Sequence, residues 1–153
     1  MNISPIQLII FSAAGFVCSL LVHLLTVLNF YIVSNTVIML LTAGILIVWL
    51  QSSKNLKAIY RSAPERHPWK TVLGYCPDWV KYLFYFFLVY AIVNFGLTMS
   101  FGSGEDYLNF EVSQVKLRGI SGFWMTFYIS GIIFGYALKI HQRDSYGETS
   151  EER

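Results

Sequence analysis

Residues 8–28 read LIIFSAAGFVCSLLVHLLTVL, with no Asp, Glu, Lys or Arg among them. At 1.5 Å of rise per residue, a helix of this length reaches about 30 Å, the thickness of a bilayer's hydrocarbon core. Three more apolar stretches follow at 37–50, 82–99 and 120–140. In lipid each backbone polar group must be satisfied within the protein, so such segments are helices. The sequence therefore predicts an all-α fold, an integral membrane four-helix bundle with spans at about 6–28, 36–51, 80–100 and 120–141.

Composition points the same way. The 153 residues are 55% hydrophobic and 17% aromatic, and only 13% are charged, against about 25% charged in soluble domains. Residues 20–28 and 84–93 are apolar around the helix circumference, which a soluble bundle with a wet face does not tolerate. The net charge of +2 gives no basis for nucleic-acid binding. The basic residues flank apolar segments instead, which suits a membrane surface.

The ends and cysteines add boundaries. Residues 1–7 contain no Lys or Arg, and the apolar run after them exceeds the ~7–15 residues of a signal-peptide core. Val17 before Cys18 is not the small residue expected of a lipoprotein site, so the first span is expected to stay in place. Cys18 falls inside a span and Cys76 in a polar segment, a difference in depth that argues against a disulfide. Pro5 suits a first helical turn. Residues 29–36 predict a tight interfacial connection with Tyr31 at headgroup level, and Asn29, Ser34, Asn35 and Thr36 supply its turn chemistry. Residues 1–143 form one four-span domain, and 144–153 form a polar tail expected to be mobile.

The distribution of Lys and Arg predicts orientation. The N-terminus, the segment 51–79 and the tail fall on one side, with Lys54, Lys57, Arg61, Arg66, Lys70, Lys81, Lys139, Arg143 and Arg153. Lys116 and Arg118 are alone on the other side. Nine against two predicts N-in, C-in threading, with 51–79 as a basic inner loop of about 30 residues and 101–119 as a short outer loop. Trp49, Trp69, Trp79, Tyr82 and Tyr136 form the inner aromatic belt. Lys54–Ser62 is a possible cytosolic extension of the second helix. In a bacterium the location is the cytoplasmic (inner) membrane.

His23 is the sharpest chemical feature, because an ionisable side chain within a span is a functional-site hypothesis by default. It reads either as a ligand for haem or a redox group such as a quinone, or as a neutral ring hydrogen-bonded to a neighbouring helix. A bis-histidine haem needs a second axial ligand, and no second histidine falls well inside a span, His141 standing at the very end of the fourth. Depth counting brings His23, Thr26, Asn29, Thr42, Asn94 and Thr126 into one outer-half polar layer, with His23 and Asn94 as the expected touching pair. That layer reads either as a small cavity for a solute or quinone head, or as interhelical hydrogen bonds worth ~0.6 kcal/mol each. Gly131 and Gly135 make a small-xxx-small motif, matched on the first helix by Gly15 and its small neighbours, for close packing or a homodimer seam.

His67, Cys76 and Asp78 have no zinc-type spacing, and no metal site is expected. There is no Ser-His-acid set, no nucleotide loop, no CxxC and no Asp or Glu within a span. The leading expectation is a non-enzymatic accessory or assembly partner, surrounded by lipid, in a homo-oligomer or a larger membrane complex. A redox protein using His23 and a small oligomeric transporter are the alternatives.

Overall fold

The computed structural model describes residues 3–30, 34–62, 68–101 and 114–151, and these are helical apart from short caps and turns. The order is α1 (Pro5–Val27), α2 (Asn35–Ser62), α3 (Pro68–Gly74), α4 (Asp78–Phe101) and α5 (Gln114–Glu151). Four segments are long and apolar enough to cross a membrane: Pro5–Val27, Asn35–Lys57, Asp78–Thr98 and Lys116–Asp144.

Proline sets much of this punctuation. Pro5 opens α1 behind Ser4, whose hydroxyl accepts from the Gln7 amide at 3.2 Å while Gln7 Oε1 accepts from the Ser4 amide at 3.0 Å. This reciprocal capping box satisfies two otherwise orphaned donors. Pro68 opens α3, and Pro77 precedes α4 and accepts from the Val80 amide at 3.1 Å. No proline occurs between 35 and 62 or between 114 and 151, and both helices there outrun their expected ends.

The segment expected as a 51–79 inner loop is thus largely helical. α2 continues to Ser62, with Ile59 fully buried, and α3 tucks Val72 and Leu73 beneath the bundle. The polar surface of 51–62 masks an apolar period carried by Leu56 and Ile59. α5 likewise begins at Gln114, inside the expected outer loop, and continues through Glu151, so residues 144–151 are helical. Tyr31, Arg66, His67 and the acidic Glu105, Asp106 and Glu111 lie outside the described residues.

α5 is the hub, packing against α1, α4 and α2. Its spanning window is 61% buried, against 22–28% for the other three. One core layer joins Leu8, Val22, Leu41, Val48, Trp124 and Tyr128; the other joins Ile59, Val72, Cys76, Phe84, Ile133 and Phe134. The outward faces of α2 and α4 are the reverse of a soluble protein's, with Met39, Leu40, Tyr82 and Phe86 each 63–74% exposed. Contiguous apolar exposure on this scale is characteristic of surfaces that meet lipid or another protein.

Candidate functional site

The buried face of α1 carries Leu8, Ser12, Ser19, Val22, His23 and Thr26. Their three- and four-residue spacing puts them on one stripe, so His23 points into the bundle and not toward lipid. It is 4% exposed. Its Nδ1 lies 2.8 Å from Ser121 Oγ on α5, and its Nε2 lies 2.5 Å from the Tyr90 hydroxyl on α4. The Tyr90 ring stands edge-on to the imidazole, with centroids 5.5 Å apart.

The neighbours fix the direction of these bonds. Ser121 donates its hydroxyl proton to the Arg118 carbonyl at 3.1 Å. It therefore accepts from His23 Nδ1–H, which leaves Nε2 of the neutral ring as the acceptor for Tyr90 O–H. The Arg118 carbonyl also accepts from Asn94 Nδ2 at 2.8 Å, and the Asn94 carbonyl accepts from Thr98 at 2.6 Å. One run of hydrogen bonds thus ties α1, α4 and α5 together, with both imidazole nitrogens occupied.

No family model, curated protein or solved structure matches this chain. Its chemistry is therefore read from geometry alone.

Only part of the expected polar layer assembles. His23 and Asn94 do not bond directly; the Arg118 carbonyl and Ser121 stand between them. Thr26 is buried beside His23 and donates to the His23 carbonyl at 2.7 Å, within its own helix. Thr126 bridges α5 to α4 by donating to the Phe87 carbonyl at 3.1 Å. Thr42 has an outward azimuth: it is exposed and donates back to Ile38 O at 2.9 Å. Asn29 is exposed and has φ 60°. It ends α1 in a Schellman motif, with Asn29 N–H donating to Thr26 O and Phe30 N–H to Leu25 O. Asparagine is a non-glycine residue that tolerates this left-handed conformation.

Residue-by-residue inspection of the sequence missed Tyr90, Ser121 and Tyr128. Tyr90 was hidden in an aromatic run, although it stands one turn before Asn94 on α4. Tyr128 is 2% exposed and donates to the Leu41 carbonyl at 2.8 Å, linking α5 to α2.

The small residues face inward. A Cβ on Gly15 would strike the Tyr128 ring, and one on Gly131 would meet Ser12 Oγ and come 2.6 Å from Val48 Cγ1. A Cβ on Gly135 would stand 2.7 Å from Ile9 Cγ1 and 3.0 Å from the Pro5 carbonyl. This stripe is occupied by contacts within the chain.

Between α3 and α4, Cys76 is buried, with its thiol directed at Val72 O (3.7 Å) and Ile133 O (3.8 Å). Burial pushes that thiol up to about 11, with the nearby Lys81 charge opposing the shift. Asp78 pairs with Lys81 at 2.8 Å. Cys18 and Cys76 are both free thiols. Among the described residues no group of three His, Cys, Asp or Glu side chains is placed to hold a metal ion.

Proposed function

We propose that this chain is a non-enzymatic accessory or assembly subunit of a larger membrane complex, threaded N-in and C-in, in the cytoplasmic membrane of a bacterial source. The observation that carries the reading is the saturation of His23: Ser121 and Tyr90 occupy both ring nitrogens. A haem iron or a quinone carbonyl at this ring has to displace one of those partners, breaking a bond that ties α1 to α4 or α5. The group with the greatest chemical potential in the spans therefore serves to lock three helices. Thr42 and Asn29, turned outward, leave the outer layer short of the polar walls that a transport cavity requires.

The exposed apolar faces of α2 and α4 then supply surface for partner helices. A photo-crosslinking residue replacing Phe86 or Met39 gives a discrete protein adduct in native membranes, while one replacing buried Ile133 does not. Lipid adducts alone at every position, with the chain running at monomer size, overturn the reading. A Soret band that vanishes in His23→Ala overturns it in favour of haem. The threading is tested by Arg143→Cys, which an impermeant thiol reagent labels only from the cytoplasmic side.

A further inference from the structure

The far end of the bundle from His23 holds a cleft of about 480 Å³ between the start of α1, the inner end of the α2 span and the C-terminal part of α5. Ser4, Gln7, Gln51, Asn55 and Gln142 give it polar walls, and Leu138 helps to make an apolar one. None of its lining residues carries a charged side chain. The volume lies within the range of small-molecule sites, about 300–1,000 Å³.

Asn55 lines this cleft and is only 5% exposed. Its Oδ1 accepts from Gln51 Nε2 at 3.4 Å, yet its buried Nδ2 has no hydrogen-bond partner. Ser52 Oγ, on the same side of α2, is likewise buried and without a partner. Buried polar groups are ordinarily hydrogen-bonded, and each exception calls for a physical cause. Two of the three such atoms among the described residues lie one turn apart on α2, the third being Ser12 Oγ on α1, and of these residues Asn55 adjoins the open volume. The terminal torsion of an asparagine side chain is broad, so the Asn55 amide can turn to meet an acceptor in the cleft.

Depth and charge narrow the occupant. Asn55 is two residues and Gln51 six residues inside the span end at Lys57, which puts them about 3 and 9 Å deep. That is the boundary between headgroups and hydrocarbon. A molecule held there keeps a polar head among amides and an apolar body in lipid. The uncharged walls offer no counter-ion to a phosphate and suit a neutral acceptor.

We propose that this cleft binds the uncharged, carbonyl-bearing head of a membrane amphiphile, with Asn55 and Gln51 as donors. Acylglycerols and isoprenoid quinones share that chemistry. The site is separate from the His23 cluster and does not depend on the chain's having a protein partner.

The full chain is reconstituted in nanodiscs and irradiated with a diazirine-bearing diacylglycerol in one arm and an azido-quinone in the other. The expected result is labelling of the peptides around 3–7 and 51–55 in at least one arm, competed by the unlabelled parent compound; the competing arm identifies the source. Asn55→Leu lowers that labelling about five- to tenfold, as loss of one hydrogen bond implies, and leaves labelling of the exposed α4 face unchanged. If Asn55→Leu misfolds, Gln142→Trp blocks the cleft from its exposed rim and gives the same loss. Labelling that is uncompeted and equal on all lipid-facing helices overturns the proposal. So does an unlabelled cleft in both arms, which leaves water as its occupant.

Discussion

The two ends of this bundle bury similar polar side chains and treat them differently. At the His23 end, His23, Tyr90, Ser121, Asn94 and Thr98 each have a partner, and the bonds run between three helices. At the cleft end, Gln51, Ser52 and Asn55 all lie on α2, and two of their polar atoms have none. The first set fixes how helices meet. The second leaves hydrogen-bonding capacity near an open cleft. Ser12 Oγ is also buried without a partner, but it sits in the close α1–α5 contact at Gly131, where a ligand has no room; a missing partner marks a place for something else to bind only where a cleft adjoins it.

The most severe way to break the contrast is to separate the helices between the two ends. Gly131→Leu drives a side chain into Ser12 and Val48, and should cost about 3 kcal/mol or more. Denaturant titration in mixed micelles measures it, and a loss below 1 kcal/mol means that α5 does not approach α1 and α2 as closely as described. His23→Ala comes next. It removes the partner of the Tyr90 hydroxyl and one of the two bonds of Ser121, which keeps the Arg118 carbonyl, and should cost about 1–3 kcal/mol. An unchanged unfolding midpoint would mean that the His23 cluster does not lock the three helices.

Tyr90→Phe is a finer probe, because it deletes one hydroxyl while keeping the ring against His23. Its expected cost is about 0.6–1.7 kcal/mol, the range of interhelical hydrogen bonds in bilayers. The double variant with His23→Ala should be less costly than the sum of the singles, because both remove the same bond. Asn55→Leu is the smallest change, because its two consequences oppose each other. Removing the unsatisfied Nδ2 is a gain and losing the long bond from Gln51 Nε2 is a cost, so stability should change by less than about 1 kcal/mol. A loss comparable to that of His23→Ala erases the distinction between the two ends.

The sequence makes depth legible more readily than azimuth. Apolar length locates each span along the membrane normal, and Pro5–Val27 and Asp78–Phe101 fall within two residues of expectation at each end. The rotation of a side chain about its helix depends on which neighbour arrives, and this is where the polar layer divided. His23 and Thr42 were placed at comparable depth, yet one faces the hub and the other faces outward. Asn94 was chosen as the partner of His23 on depth alone, while Tyr90, one turn away, had the reach and the angle. The second helix does run on over Lys54–Ser62, but charged residues there cover a face whose apolar period continues through Ile59, so its packing into the core was not legible. Asn29 was read for its side chain, whereas its backbone conformation determines its role.

Chain order makes the hub the last helix to be made. The ribosome delivers α1, α2 and α4 first, and until α5 emerges His23 lacks Ser121, Gly15 lacks Tyr128, and the small-residue stripe of α1 faces only lipid tails. Assembly of this bundle is accordingly a late event in its biosynthesis, and a nascent chain stalled before residue 114 leaves three membrane helices without the one they all pack against.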